Sequence, residues 1–461
     1  MTGAALADVA AARTPGRRMH ELLTRLFPIA RSLTGPGFRE TLDLLEGVCG
    51  PLERHRFATG ERVFDWTIPR EWAIRDAWIK DPDGRVVVSL RDSNLHVVGY
   101  SAPVHAHLDL EELQAHLHSL PDQPDAIPYR TSYYREAWGF CLGDRARRAL
   151  RPGRYEVLID SELTDGELEL GELTIEGRSG EEVLFSTYCC HPSMANNELS
   201  GPVLCAHLAA LVAARAERPR CTYRFLFMPE TIGAIAYLSR FGERLRAALA
   251  AGYVVTCVGD PGAFTYKCSR RGDALADRVA EHVLAHSGVP HTTLDFFPSG
   301  SDERQYCSPG FDLPVGSLMR SMYGTYPEYH TSLDDLSFVT PQALGESLAM
   351  YERIVDTLEG NETLASTMPY CEPQLSSRGL YPTTGGGLAA HARVRDTNWL
   401  LNLCDGSADL LAVADRARRP LWELRPLADA LVEHGLLRAV PRDDGEQPRD
   451  GVRPVSPEGG E

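Results

Sequence analysis

The chain has 461 residues, 43% hydrophobic and 24% charged, so it can bury a sizeable core, and its length suggests roughly three domains. A formal net charge of −17 argues against non-specific nucleic-acid binding, which relies on lysines and arginines to neutralise phosphates. Eleven cysteines without a repeated Cys-x-x-Cys spacing, no apolar run near the roughly 20 residues of a membrane span, and no apolar secretory core at the N-terminus predict a cytoplasmic protein with reduced thiols.

From His20 to about Leu45, leucines at helical spacing predict two helices broken at Thr34-Gly-Pro-Gly37, and residues 1–53 are expected to pack on a later catalytic domain. Residues 54–150 change character. Arg62–Thr67, Ala77–Lys80, Val86–Leu90 and Val97–Tyr100 read as short strands, with Asp81-Pro-Asp-Gly84 as a turn, so a small β-rich insertion is expected with Trp66, Trp72 and Trp78 as core anchors. Residues 151–367 alternate strands and helices. Strands are expected at Val183–Thr187, Arg224–Met228, Tyr253–Val258 and Leu313–Leu318, with helices at Leu199–Ala214, Ile232–Leu249, Ala274–His286 and Pro341–Leu358. That alternation implies a mainly parallel mixed sheet between helices, an α/β fold. Beyond the glycine-rich stretch Thr383–Leu388, residues 368–440 read as helix, helix, helix and strand, the order of a winged helix, and residues 441–461 have a disordered composition. Because Leu421–His434 is not strongly basic, a packing or dimerisation role is favoured over DNA binding, which leaves a homo-oligomer open.

Three predicted strands are followed by loops carrying His191, Glu230 and Asp260, and His330 lies in a polar loop before the closing helix. Loops of this kind converge at the carboxyl ends of the strands, where ligands bind in open α/β sheets. Histidine and carboxylate are ligand types that zinc takes, so a metal site is expected.

His191 with Asn196-Asn-Glu-Leu-Ser-Gly201, Pro229-Glu-Thr-Ile-Gly233, Gly259-Asp260 and Tyr329-His-Thr331 resemble, in order and rough spacing, the motifs of co-catalytic zinc aminopeptidases, whose fold glutamate carboxypeptidases and glutaminyl cyclases share. With Gly300–Tyr306, Met319-Arg-Ser321, the β-rich insertion and the winged module, nearly the whole chain resembles a bacterial aminopeptidase-like branch found beside biosynthesis genes. The resemblance implies zinc ligands at His191, Asp260 and His330, and Glu230 as general base. It departs at three positions. Asn197 stands where the relatives carry a bridging aspartate, Thr231 where they carry a second carboxylate ligand, and Ser193 where an aspartate follows the histidine. A neutral amide offsets little repulsion between two cations, so one zinc per chain is expected rather than two, with Glu198 or Glu303 as further ligands and Asn197, Thr231 and Asp302 supporting them.

Arg270, Arg271, Arg304, Tyr306, Arg320 and Tyr323 fall in the motif loops and predict a small-molecule or peptide substrate with an anionic group. The expected reaction is zinc-dependent hydrolysis of an amide or peptide bond, on a substrate from a biosynthetic pathway. The alternatives are acyl transfer to an internal amine, as in glutaminyl cyclases, and a non-catalytic regulator that binds metal or ligand.

Overall fold

The computed structural model of the chain describes residues 3–380 and 388–440; the predicted tail, residues 441–461, and most of the glycine-rich stretch lie outside them. The chain divides near residue 360 into two compact units. Among the described residues no helix is long and apolar enough to cross a membrane. All eleven cysteines are unpaired.

The first unit is built on an eight-stranded sheet. Its order is Glu53–Ala58, Glu167–Ile175, Thr222–Met228, Glu182–Tyr188, Leu249–Val254, Val315–Met319, Phe264–Lys267 and His291–Leu294. The four strands from Thr222–Met228 to Val315–Met319 run parallel, and the two strands beyond Thr222–Met228 run antiparallel to their neighbours. Thr222–Met228 is buried throughout and Glu182–Tyr188 nearly so. Continuous burial explains their unbroken apolar runs, because helices cover both faces. The helices are Ser200–Ala213, Ile232–Ala248, Leu275–Ser287 and Pro341–Gly360, close to the predicted ranges. Gly201 lets the first of them approach the sheet: a Cβ there would lie 2.2 Å from the Val255 carbonyl oxygen and 2.5 Å from Thr187 Oγ1. At the N-terminus, helices Gly3–Leu26 and Pro36–Cys49 flank the predicted break.

Four local expectations are corrected. The strand expected at Tyr253–Val258 occupies Leu249–Val254, because the chain passes from helix to strand without a loop and Cys257 turns left-handed at φ 52°. Val97–Tyr100 is no strand: Val97 and Gly99 make only isolated bridges, and Tyr100 has φ 66°. The insertion's sheet has the order Val86–Ser89, Glu71–Lys80, Arg154–Thr164, Val104–Asp109, so Arg154–Thr164 belongs to this sheet and not to the large one. Of the three tryptophans, Trp72 is buried and donates from Nε1 to the Ser101 carbonyl at 3.0 Å. Trp66 is 39% exposed and is not a core anchor.

The second unit contains helices Leu388–Leu403, Leu410–Ala417 and Leu421–Glu433, and a three-stranded sheet of Asp405–Asp409, Thr363–Ser366 and Leu437–Ala439. Gly435, at φ 67°, ends the last helix as its position predicts. Strand Thr363–Ser366 precedes the expected start of this module and pairs with both other strands.

Candidate metal and catalytic site

Among the described residues, four of the nine non-glycine residues with positive φ, Ser193, Thr231, Cys257 and His330, sit in loops that follow the parallel strands. Such conformations cost energy and persist where packing over-determines them, so their clustering marks this end of the sheet. His191 is buried here, with its Nε2 3.7 Å from Glu230 Oε2 and its ring centroid 5.3 Å from that of His330. The ring of Tyr129 packs edge-on against both, at 4.4 Å from His191 and 5.3 Å from His330. Burial, with His330 and Arg31 nearby, holds His191 well below the usual imidazole range, and burial pushes His330 down to about 4. Both rings are therefore neutral near pH 7, the form that binds metal.

Glu230 lies at the end of a buried strand, and its side chain remains 24% exposed. Burial first, then Asp302, pushes its carboxyl up to about 8, while Arg304 pulls the other way. Its backbone N–H donates to Cys190 Sγ at 3.3 Å. The next residue, Thr231, donates its N–H to Asp302 Oδ1 at 2.7 Å and accepts from Arg304 Nη2 at 3.0 Å. Cys190, His191, Glu230, Thr231 and Arg304 line a cavity of about 210 Å³, walled on its apolar side by Leu33, Ile232, Trp66, Tyr133 and Tyr134.

The inserted module reaches this site through backbone bonds. Tyr129 N–H donates to the His330 carbonyl and Ser332 N–H to the Ile127 carbonyl, both at 2.9 Å. Arg31 is buried and donates from Nε to the His191 carbonyl at 3.0 Å. None of Arg31, Tyr129, Cys190 or Lys267 carries a local signal of its place. Lys267 is fully buried, bonded to Glu303 Oε1 at 2.6 Å and to Tyr323 Oη at 3.0 Å.

The other expected residues are placed differently. Asp260 is buried and accepts four hydrogen bonds, from Asn196 Nδ2, the N–H groups of Gly262 and Ser321, and Ser321 Oγ. Arg320 is consumed by Ser347, the Gly262 and Ala343 carbonyls and Glu346. Arg270 and Arg271 both pair with Asp312 on the surface. Tyr306 is buried with its hydroxyl on Ser186 Oγ at 2.8 Å, and Tyr323 bonds to Glu303. Among the six residues expected to bind substrate, Arg304 is the one that lines the cavity. Among the described residues two sets of three donors lie within 4.8 Å of one another: Cys190, His191 and Glu198 here, and Glu53, His55 and Glu172 elsewhere.

Taken together, these features describe an aminopeptidase-like α/β unit followed by a winged helix. The chain belongs to the family whose model, described as a domain of unknown function (DUF4910), matches residues 20–361, and a winged helix-turn-helix model matches residues 362–439. It is 44% identical over 425 residues to a Clostridium acetobutylicum protein whose name provisionally describes polysaccharide biosynthesis with an aminopeptidase-like domain, covering 92% of this chain and 97% of the relative. It also resembles a crystal structure from Clostridium acetobutylicum, provisionally titled a peptidase, at 42% identity with a TM-score of 0.88, covering 94% of this chain and 98% of that one. In fold it resembles a zinc aminopeptidase from Bacillus subtilis, with a TM-score of 0.54 at 11% identity, covering 74% of this chain and 94% of that one.

Proposed function

We propose that the chain is a zinc-dependent hydrolase of an amide or peptide bond, holding one ion per chain. The observation that carries this reading is the pairing of two neutral imidazoles, His191 and His330, with ring centroids 5.3 Å apart, where His191 also stands 3.7 Å from Glu230 at a cavity that both His191 and Glu230 line. Nearby, the buried oxygens Asn197 Oδ1, Asp302 Oδ2 and Glu303 Oε2 have no hydrogen-bond partner. Orphaned acceptors are costly in a protein interior, and a cation close by offsets that cost. The donor types present fit zinc.

His191 and His330 are the proposed ligands. Asp260 is the third proposed ligand; its carboxylate accepts four hydrogen bonds, at least one of which it would give up to a cation. Asn197 in place of an anionic bridge supports one ion rather than two. Zinc held there would supply Lewis acidity, lowering the pKa of a water and polarising a carbonyl. Glu230 takes the proton from the attacking water and returns it to the leaving amine, the general base and acid of the reaction. Burial and Asp302 raise its affinity for a proton, which suits the return step, and a cation held at His191 would lower that affinity so that Glu230 is ionised for the first step. Leu33, Ile232 and Trp66 exclude bulk water from one side of the cavity, while Arg304 offers a guanidinium to an anionic substrate group. The relative's name supports a biosynthetic intermediate as the substrate class, and the unpaired cysteines support a cytoplasmic setting.

Metal analysis and turnover on a panel of N-acyl amides and short peptides test the reading. One zinc per chain with hydrolysis is the expected result. A zinc-free protein that remains inactive after zinc is restored would overturn it.

A further inference from the structure

We propose that Glu198 fixes the tautomer of His191 and so leaves its Nε2 lone pair for the metal, a positioning role that rests on the metal-hydrolase reading above. Glu198 lies in the π-helical turn Ala195–Leu199, and its side chain is fully buried. A π turn widens the helix by one residue and re-aims the side chains beside it. Here the turn is clamped from the loop before the closing helix. Asp334 accepts the N–H groups of Asn196 at 2.6 Å and Asn197 at 2.9 Å on its carboxylate, and that of Ala195 at 2.9 Å on its carbonyl.

Both carboxylate oxygens of Glu198 are directed at the His191 segment. Oε2 accepts the Cys190 N–H at 2.7 Å, and Oε1 lies against His191 Nδ1. An ionised carboxylate only accepts hydrogen bonds, so the ring nitrogen that faces it is the one that carries the proton. Nε2 is then the free acceptor, and it points to the side where Glu230 stands. Oε2 is held by the Cys190 N–H, and Oε1, which has no other hydrogen-bond partner, lies against Nδ1, with Cys190 Sγ 3.7 Å from the same nitrogen; in this arrangement Glu198 acts behind the histidine rather than as a ligand beside it. Carboxylates behind ligand histidines raise their basicity and hold their orientation.

Ser193, two residues after the histidine, does not fill this place. Its Oγ donates to the Phe27 carbonyl at 3.2 Å and accepts from Asn94 Nδ2 at 3.2 Å, so it ties the loop to the N-terminal segment and the insertion.

Glu198→Gln tests the assignment because glutamine keeps the shape but offers one acceptor oxygen and one amide donor. Two N–H groups face that position, and the Cys190 amide cannot give up its hydrogen. The amide NH₂ must then face Nδ1, which moves the ring proton to Nε2. The experiment records ¹⁵N-histidine spectra of the zinc-free full chain, with His191 assigned from a His191→Ala sample, and measures zinc affinity by competition with a chelating indicator. The expected result is a wild-type His191 protonated on Nδ1, and a Glu198→Gln protein protonated on Nε2 that binds zinc about 10- to 100-fold more weakly. A wild-type His191 protonated on Nε2 overturns the proposal whether or not the variant folds. An unchanged tautomer in Glu198→Gln also overturns it: with zinc affinity retained, Glu198 is a packing residue, and with zinc lost, it is a ligand. Failure of wild-type protein to bind zinc at all removes the metal reading, whereas the tautomer measurement judges Glu198 separately.

Discussion

Two histidines of this chain sit among glutamates, and their surroundings differ in character. His55 Nε2 lies 2.8 Å from Glu172, which also contacts Arg224, Arg244 at 3.5 Å and the Tyr237 hydroxyl at 2.9 Å. The negative charge there is already met by two guanidinium groups. Around His191 and His330 the pairing is less complete: Asp302 Oδ2 and Glu303 Oε2 are buried without hydrogen-bond partners, although Lys267 bonds Glu303 Oε1 and the Arg304 charge acts on Asp302 and Glu230. Donor atoms within a few ångströms are common to both places. What separates them is how completely the protein itself has paired the carboxylate oxygens, and that difference supports His191 over His55 in the reading proposed above.

The sharpest way to break this contrast is metal content. His191→Ala is expected to lose the zinc outright, whereas His55→Ala is expected to retain it, both read by elemental analysis of chelator-free protein. Zinc lost from His55→Ala and kept in His191→Ala would invert the assignment. Next in size is Glu230→Gln, for which kcat should fall about 10²- to 10⁴-fold with zinc still bound, because the proton acceptor is gone and the histidines are not. At the other cluster, Arg224→Met leaves Glu172 buried with only the partly exposed Arg244 as a cation. Breaking a buried pair in this way costs about 3–5 kcal/mol, so the urea midpoint should drop while zinc content stays constant. A midpoint within error of wild type would mean that the cluster is not a charge-compensated structural unit.

The parts of the fold that were legible in the sequence are those decided locally. Val183–Thr187 and Arg224–Met228 show their burial as apolar runs, and His191, Glu230 and Asp260 are exposed to inference because each follows such a run. Val97–Tyr100 carries an equally apolar run, yet it makes no strand because Tyr100 turns left-handed. The aromatic and arginine assignments needed partners far away in the chain. Tyr129 reaches the histidines only because residues 127–129 bond to residues 330–332, some 200 positions later. Trp66 reads like Trp72 in composition, but one lines the cavity and the other packs in the core. The aim of Glu198 depends on a π turn held by Asp334, 136 positions away by subtraction of the two residue numbers, and no spacing rule predicts that.

The smallest predicted effect concerns the arginines, which look alike in sequence. Arg271 contacts Asp312 Oδ2 at 3.2 Å with its side chain 48% exposed, a solvent-screened pair. Pairs of this kind contribute about 0–1 kcal/mol, so Arg271→Ala should leave both the urea midpoint and KM close to wild type. Arg304 differs in one respect that matters: its Nε is buried without a hydrogen-bond partner at the cavity, while Nη2 holds Thr231. An unpaired buried donor is available to a ligand in a way that the Arg271 guanidinium is not. Arg304→Met should therefore raise KM for an anionic substrate and change it little for a neutral amide of the same shape. Equal effects on the two substrates would show that Arg304 supports Thr231 and Glu230 rather than reading charge.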